Sequence, residues 1–372
     1  MKIKIYDIIG LKSGMNHYVE AFCNVLIKNG IESEVCSNYV FNGKKFFPNI
    51  FQGSIFKKIL MLILAYWRYF TDIIKLNKSE YGAISVYGHL LDIPFLIISS
   101  FNKNIFIDIH EVVSLDNKSR LVHKIFNFIY RHIGNSVISH SNKTDIVLEQ
   151  FGFKNHIFKV PLFNYNIDQS ININNLDTNL IEIVKASPNY ILFFGNIRPS
   201  KGIFELLEAL KIIGNRNISL EYKVIIAGQD NSGIIDDYQK VEEIKSNAHF
   251  IVKYVNDDET NYLFENCSLV ILPYKEISQS AILEMAFAFR KPIITSKIKY
   301  FNELLIPSPS FGYSINVDDP DVFAEELIKA PRLYENQVFY TVEDIDKFQK
   351  KDEVDAFILD LRKSDTLRYS KS

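Results

Sequence analysis

Residues Leu269–Ser296 read LVILPYKEISQSAILEMAFAFRKPIITS, and this stretch decides the fold. Its first five residues form an apolar run that ends at Pro273, which is typical of a buried parallel strand. A polar loop follows, and from Ser280 the spacing of apolar residues predicts a helix that the serine caps and a later proline ends. Ile293–Thr295 then reads as the next strand. The stretch is therefore predicted to be a β-α-β unit.

Two carboxylates lie at the turn of this unit. Glu276 is on the predicted loop, and Glu284 is one turn into the predicted helix. In open α/β sheets, ligands bind outside the carboxyl ends of strands, where helix N-termini offer free amides to phosphate. We therefore expect both glutamates near a phosphate site, where they can accept hydrogen bonds from ligand hydroxyl groups.

The full chain has 372 residues, which is more than one hydrophobic core usually supports. Strand-like and helical runs alternate on both sides of a connection rich in Asn and Asp, which predicts an α/β protein with two Rossmann-like, doubly wound parallel sheets. The predicted parts are a first domain at 1–165, an interdomain connection at 166–189, a second domain at 190–340, and a C-terminal helix at 341–372 that crosses back to the first domain.

Charge, cysteine content and the N-terminal segment indicate which partners and which cellular compartment to expect. The formal charge is only −2, and none of the common nucleic-acid-binding motifs occurs, so we expect no nucleic-acid partner. The three cysteines are far apart in the sequence and are expected to be buried thiols in a reducing compartment. The N-terminal MKIKIYDII reads as a first strand and not as an export signal. These features predict a cytoplasmic protein.

A basic and apolar segment at residues 55–78 allows two interpretations. Its apolar run, Ile59–Trp67, is too short to span a bilayer, which needs about 20 residues. Lysines and an arginine flank the run, a composition suited to a helix in a membrane interface. The segment therefore predicts either peripheral contact with the inner face of the cell membrane or an ordinary helix packed on a sheet.

The second half opens with YILFFGNIRPSKGIFELLEAL. A predicted strand ends at Gly195, a short loop carries Arg198 and Lys201, and Gly202 leads into a helix. A guanidinium group binds phosphate bidentately and an ammonium group binds it as a point charge. Two cations on a strand-to-helix loop therefore favour a diphosphate ligand.

Together, the GNIRPSKG loop, the Glu276 and Glu284 pair, and the KPIIT segment at 291–295 resemble the GT-B-fold retaining glycosyltransferases of family 4, the glycosyl transferases group 1 type. The resemblance extends over nearly the whole chain. It implies two Rossmann-like domains that face a central cleft. It also implies a hexosyltransferase that moves a sugar from a UDP- or GDP-linked donor to a glycan or lipid-linked oligosaccharide acceptor. The expected setting is the biosynthesis of bacterial surface polysaccharide, such as O-antigen, lipopolysaccharide, capsule or exopolysaccharide.

Residue by residue, the resemblance assigns Arg198 and Lys201 to the donor diphosphate and Glu284 to the nucleotide ribose. Glu276 is expected to contact hydroxyls of the donor sugar. In the first half, His110 ends a predicted strand and is expected to contact the donor sugar or the acceptor, with a structural hydrogen bond as the alternative. The expected catalytic residues are Glu276, Arg198, Lys201 and His110, and the expected donor-binding residues are Gly14, Gly195, Asn196, Arg198, Lys201, Gln279, Ser280, Ala281 and Glu284.

Two positions depart from the family pattern. Members commonly have Gly-Phe-Gly after the first glutamate, where this chain has Ile277, Ser278 and Gln279. Members often have arginine directly after the strand-ending glycine, where this chain has Asn196. Arg198 is therefore expected to take over the role of that arginine.

No metal or cofactor is expected. Asp-x-Asp occurs only at 319–321 and 344–346, where the aspartates are expected to cap helices. The Gly-x-Gly-x-x-Gly fingerprint is missing, which argues against a nicotinamide enzyme. Two alternatives stay open: a nucleotide-sugar 2-epimerase on the same fold, and a catalytically inactive scaffold associated with the membrane.

Overall fold

The computed structural model describes residues 1–10, 15–114, 119–160, 170–277, 280–306, 308–335 and 351–369. The chain divides into two compact units, Met1–Tyr165 with Lys350–Ser372, and Asn166–Gln349. Each unit contains a six-stranded sheet, and the paired strands of both sheets run parallel. The predicted α/β class with two doubly wound parallel sheets is confirmed.

The first unit has the strand order β2-β1-β3-β4-β5-β6. Its strands are β1 (Lys2–Asp7), β2 (Glu32–Ser37), β3 (Glu80–Val86), β4 (Ile105–Ile109), β5 (Val137–Ser139) and β6 (Ile157–Lys159). Its helices are α1 (Asn16–Lys28), α2 (Ile55–Ile73), α3 (Ile93–Ser99), α4 (Arg120–His132), α5 (Asn142–Gln150) and the C-terminal α14 (Lys351–Tyr369).

The second unit has the strand order β12-β11-β10-β7-β8-β9. Its strands are β7 (Tyr190–Phe194), β8 (Lys223–Gly228), β9 (Ala248–Val252), β10 (Leu269–Leu272), β11 (Ile293–Ser296) and β12 (Gly312–Ile315). Its helices are α6 (Thr178–Ala186), α7 (Ile203–Asn215), α8 (Ile235–Tyr238), α9 (Glu242–Lys245), α10 (Asp257–Asn266), α11 (Ala281–Ala288), α12 (Lys299–Leu305) and α13 (Pro320–Glu335).

The direction of winding reverses once in each sheet. In the second unit the chain builds outward from β7 through β8 and β9, and then returns to place β10 on the other side of β7. Loops at the carboxyl ends of such a strand pair diverge to opposite faces and leave a crevice, where ligands of open α/β sheets bind. The loops after β7 and β10 are those that carry the predicted diphosphate and glutamate residues.

Apolar side chains cover the sheets and anchor these elements. On one face of the second sheet, Leu283 and Ala286 of α11 join a buried cluster with β10 and α10. In the first unit, α2, α3 and α4 pack on one face of the sheet. Phe357 of α14 contacts Phe22 of α1 and Phe158 of β6, with ring centroids 6.1 Å and 6.3 Å away. The C-terminal helix therefore belongs to the first unit.

Three elements differ from the sequence prediction. The predicted connection at 166–189 contains α6, because Asp177 caps the helix and Leu180 and Val184 form a buried i, i+4 pair. The strand β12 was not predicted, because its four residues carry a weak pattern. Residues 234–246, which have a helical pattern, form two short helices, α8 and α9. Of the C-terminal helix predicted at 341–372, the structure describes Lys351–Tyr369.

Among the described residues, no helix is both long enough and apolar enough to cross a membrane. The three cysteines are buried and form no disulfide.

Candidate active site

The loops after β7 and β10 lie side by side, because these two strands are neighbours in the sheet. The Lys275 amide donates a hydrogen bond to the Ser200 carbonyl oxygen at 3.0 Å. The Lys201 ammonium nitrogen lies 3.7 Å from the centroid of the Tyr274 ring, within the range of a cation–π interaction. These contacts hold the loop with Arg198 and Lys201 against the loop with Glu276.

Gly202 permits this close approach. Its φ is +71°, and a Cβ atom at this position would lie 1.9 Å from the Pro273 carbonyl oxygen. Any residue other than glycine would push the end of β10 away from the turn at Pro199–Lys201. Gly195, at the end of β7, has a φ of +110°, and a Cβ there would lie 3.4 Å from Ile282 on α11. The loop after β7 therefore depends on glycine at two positions, at Gly202 for the close approach to Pro273 and at Gly195 for its positive φ.

Helix α11 begins directly after the second loop. The Ser280 hydroxyl oxygen accepts a hydrogen bond from the Leu283 amide at 3.1 Å and so caps the helix. Ala281 at the helix start is exposed, whereas Glu284 in the first turn is buried. Burial raises the pKa of Tyr300, and the nearby Glu284 carboxylate adds to this effect. A buried acidic group in the first turn is stabilised by the helix dipole.

The remaining predicted residues of this unit differ in exposure. Asn196, Arg198 and Glu276 are exposed, and Lys201 is partly exposed. Gln279 lies outside the described residues. Two cations, a helix N-terminus and two carboxylates thus occupy neighbouring loops at the reversal point of the sheet. This arrangement can bind an anion through the cations and the helix amides, and hydroxyl groups through the carboxylates.

A second cluster occupies the carboxyl ends of three neighbouring strands in the first unit. Asp108 on β4 has its Oδ1 2.7 Å from Nε2 of His140, which follows β5. Its Oδ2 accepts a hydrogen bond from the Ser85 hydroxyl at 2.9 Å and lies 3.4 Å from Nε2 of His110. The Nδ1 atom of His140 lies 3.0 Å from the Val160 carbonyl oxygen. Both nitrogens of the His140 ring thus face acceptors, which fixes its orientation.

Aromatic rings hold His110 on both sides. Its ring stacks on Tyr87, which follows β3, with centroids 5.0 Å apart, and on His140 at 4.9 Å. Tyr18 of α1 meets the His110 ring edge-on at 4.8 Å. His110 is therefore a buried and well-oriented imidazole, only 3% exposed.

Burial and neighbouring charges shift the pKa values of this cluster in opposite directions. Burial tends to raise the pKa of Asp108, but the adjacent His110 and His140 rings outweigh it and hold that pKa well below its ordinary value. Burial lowers the pKa of His110, against the opposing effect of the Asp108 carboxylate. At neutral pH the cluster therefore contains an ionised carboxylate beside a neutral His110 that can donate or accept one proton.

Sequence reasoning found His110 but missed His140, Tyr18 and Tyr87. The reason is distance along the chain: His140 is 32 residues from Asp108, and Tyr18 is 90 residues from it. Only the order of strands β3, β4 and β5 brings these side chains together. One signal was available, because His140 is at the end of a predicted strand, as His110 is. Gly14 lies outside the described residues.

Two groups of residues bear on metal binding. Asp319 caps α13, since its Oδ1 accepts a hydrogen bond from the Asp321 amide at 3.0 Å, as expected; residues 344–346 lie outside the described part of the chain. Asp108, His110 and His140 offer three ligand-type atoms within 4.8 Å of one another, a grouping that the sequence spacing did not suggest. Their 2.7 Å contact is of hydrogen-bond length, so the cluster as it stands is hydrogen-bonded.

Comparison with known proteins finds a family whose model matches the part of the chain that contains these loops. Residues 180–338 match the model of the glycosyl transferases group 1 family. This segment runs from within α6 to beyond the end of α13, and so includes both loops of the site. No curated protein matches the chain.

Solved structures extend the likeness to the whole chain. The structure is similar to sucrose-phosphate synthase (tll1590) from Thermosynechococcus elongatus, with 13% identity, 100% of both chains covered and a TM-score of 0.65. It is similar to Anabaena Alr3699/HepE in complex with UDP and glucose, with 15% identity, 98% and 99% coverage and a TM-score of 0.64. It also resembles UDP-GlcNAc 2-epimerase from Methanocaldococcus jannaschii, with 15% identity, 91% and 93% coverage and a TM-score of 0.54.

At these identities the similar structures establish the fold, and the family match concerns the second unit. The parallel sheets, the reversal point between β7 and β10 and the site loops agree with both findings. The chain therefore has the fold of these solved structures, and its residues 180–338 match the glycosyl transferases group 1 family.

Proposed function

We propose that this protein transfers a sugar, with retention of the anomeric configuration, from a UDP- or GDP-linked donor to a glycan or lipid-linked oligosaccharide. The observation that carries the proposal is the junction of two loops at the reversal point of the second sheet. There, Lys201 lies over Tyr274, and the adjoining helix α11 begins with a capped turn that contains the buried Glu284. UDP as the donor nucleotide is supported by the similar HepE, which was solved with UDP and glucose.

The chemical problem is the departure of a nucleoside diphosphate from the sugar. Negative charge develops on the leaving oxygen, and groups that are already oriented stabilise it without reorganisation. We assign this role to Arg198, to Lys201 and to the amides of Gln279, Ser280 and Ala281. Gly195 and Asn196 line the same loop and complete the donor site.

The carboxylates recognise the uncharged parts of the donor. Glu284 accepts hydrogen bonds from the ribose hydroxyls, and Glu276 accepts them from hydroxyls of the transferred sugar. His110 contacts the donor sugar or the acceptor, and Gly14 is assigned to the donor, as the sequence predicts. We assign no protein base, because the leaving phosphate can accept the proton of the acceptor hydroxyl.

The setting we propose is bacterial surface polysaccharide biosynthesis, with the enzyme in the cytoplasm and in peripheral contact with the inner face of the membrane. This setting follows from the lipid-linked class of acceptor, because such acceptors are embedded in a bilayer. The segment at residues 55–78 is the proposed point of contact.

Slow donor hydrolysis tests the catalytic assignment without knowledge of the acceptor. We expect the wild type to release UDP from UDP-glucose or UDP-GlcNAc, or GDP from GDP-mannose. Glu276→Ala should lower this rate by roughly 100-fold or more, as is usual when one transition-state hydrogen bond is removed. Glu221→Ala removes an exposed glutamate elsewhere in the same unit and should leave the rate unchanged. An unaltered rate in Glu276→Ala would refute the role of that residue.

The same assay separates the alternatives. A 2-epimerase, which the similar fold of the archaeal epimerase keeps open, would convert the donor into its epimer without release of nucleotide. An inactive scaffold would neither bind nor convert any donor. Product analysis by anion-exchange chromatography distinguishes free UDP, unchanged donor and epimer.

A further inference from the structure

Helix α2 displays an apolar stripe to solvent. Only Ala65, Tyr69 and Ile73 of this helix are buried. Phe56, Ile63 and Trp67 are 78%, 58% and 62% exposed. We define the stripe by the residues that recur on this one face: Phe56, Leu60, Ile63, Trp67, Phe70 and Ile74.

The stripe is continuous because of its spacing. Its successive members are separated by three or four residues, so a helix with 3.6 residues per turn places them in one row. Phe101, beyond the end of α3, extends the row, since its ring centroid is 5.9 Å from that of Phe70. Scattered exposed apolar residues are ordinary, but a contiguous row of this length marks an interaction surface.

A row of cations runs along one side of the stripe. Lys57 and Arg68 are 11 residues apart, which places them on a common line of α2, and Lys75 follows two residues after the helix ends. Arg68 and Lys75 also line a cleft of about 360 Å³, together with Lys45, Phe46, Thr71 and Asp72.

The cleft is positively charged and partly rigid. Its carboxylate, that of Asp72, is already neutralised by the Lys4 ammonium group at 2.9 Å and accepts a hydrogen bond from the Tyr6 hydroxyl at 2.6 Å. The Arg68 guanidinium donates to the Phe46 carbonyl oxygen at 2.6 Å, which holds it at the wall of the cleft. The charges of Lys45, Arg68 and Lys75 thus remain in excess, and the cleft suits an anion of the size of a phosphate ester.

We propose that the stripe and the cleft together bind an anionic phospholipid bilayer. The stripe lies at the boundary of the acyl chains, and the cleft binds the phosphate of a lipid headgroup. A second copy of the chain fits this surface less well, because a symmetric dimer through the stripe would bring two rows of like charge together. The inference deepens the proposed function by specifying how the enzyme reaches a membrane acceptor, and it does not depend on the donor site.

The chain contains a built-in reporter for this proposal. Trp67 is its only tryptophan and lies within the stripe. Its fluorescence emission should shift to the blue when vesicles of phosphatidylcholine with phosphatidylglycerol are added, and much less with phosphatidylcholine alone. Brominated acyl chains should quench the emission. Vesicle flotation provides an independent measure of bound protein, and the binding should weaken at high salt because the charges are screened.

Two sets of variants locate the surface. Each basic residue near an anionic bilayer contributes about fivefold to the affinity, so Lys45→Gln, Arg68→Gln and Lys75→Gln together should weaken binding roughly 100-fold. The matched control replaces three exposed lysines elsewhere, Lys28→Gln, Lys211→Gln and Lys240→Gln, and should retain binding within a few-fold. Ile63→Ser keeps Trp67 and should reduce both flotation and the blue shift, whereas Ile306→Ser, another exposed isoleucine, should not.

Three results would overturn the inference. Flotation that is equal for both sets of lysine variants would show attraction by general charge alone. A blue shift that depends on protein concentration without vesicles would indicate a dimer through the stripe. Absence of flotation, in a preparation that still binds UDP or GDP, would refute the membrane surface and leave the proposed function intact. Loss of nucleotide binding with normal flotation would refute the proposed function and leave the membrane surface intact.

Discussion

At the scale of the single residue, the Asp7 carboxyl group at the end of β1 is buried, which disfavours its charged form. Burial raises its pKa from 3.8 to about 6, although the amides of Gly10 and Ile9 donate hydrogen bonds to it at 2.9 Å and 3.2 Å. For an acid with a raised folded-state pKa, the contribution to stability is fully present below the unfolded pKa. It is lost as the pH rises through about 6. Asp7 therefore destabilises the folded first unit at neutral pH.

We expect Asp7→Asn to stabilise the protein in a pH-dependent manner. The difference between the two pKa values corresponds to about 3 kcal/mol, which should appear above about pH 7 and disappear near pH 4. Urea denaturation of each variant at both pH values gives the free energy of unfolding. Asp108→Asn is the comparison of opposite sign, because the pKa of Asp108 is lowered, so this change should destabilise the protein at neutral pH. An equal effect of Asp7→Asn at both pH values would contradict this account.

Gly202 gives a second test at the level of a single residue. Gly202→Ala should reduce stability through its left-handed backbone, which costs about 1–2 kcal/mol for alanine, and through the clash with Pro273. It should also weaken nucleotide binding, because the Lys201 turn must move. Gly30→Ala is a matched control, since Gly30 has a φ of +72° and no atom within 4 Å of its added Cβ. If both variants bind nucleotide as the wild type does, the two loops do not depend on this contact.

At the scale of the secondary-structure element, the N-terminal cap of helix α11 affects both the stability of the protein and its affinity for nucleotide. Ser280→Ala removes the hydrogen bond to the Leu283 amide and should cost about 1 kcal/mol of stability. It should also lower nucleotide affinity, because the first turn of α11 carries the amides of the donor site. Ser141→Ala removes the corresponding cap of α5, where the Thr144 amide donates at 3.2 Å. That variant should show a similar loss of stability, measured by thermal denaturation, with unchanged affinity.

The elements differ in how far they could be predicted. The unit from β10 to β11 was predicted because a buried apolar run, a serine cap and a proline all agree. Helix α6 was missed because its flanking sequence is rich in Asn and Asp, and only packing of Leu180 and Val184 reveals its buried face. Residues 234–246 satisfy a helical pattern, but the chain breaks it into α8 and α9. The local sequence pattern therefore predicted an element best where a capping residue and a buried apolar run occur together.

On the scale of the whole molecule, alternation of strands and helices was sufficient to predict the fold class. Strand order was not predicted, and it decides which distant residues meet. The order β3-β4-β5 places Tyr87, His110 and His140 in one stack, and the order β10-β7 brings Glu276 and Lys201 to neighbouring loops. The predicted domain boundaries and the roles of the site residues stay predictions.

The central claim is that the second unit binds a nucleoside diphosphate at the junction of the β7 and β10 loops. Calorimetric titration of UDP and GDP, with magnesium and with a chelator, tests it most directly. We expect one nucleotide to bind equally well under both conditions. Glu284→Gln should weaken that binding by roughly 1–3 kcal/mol, the cost of one impaired buried hydrogen bond, and Glu208→Gln on α7 should not. Absence of binding by both nucleotides, or equal affinity in Glu284→Gln and the wild type, would contradict the account.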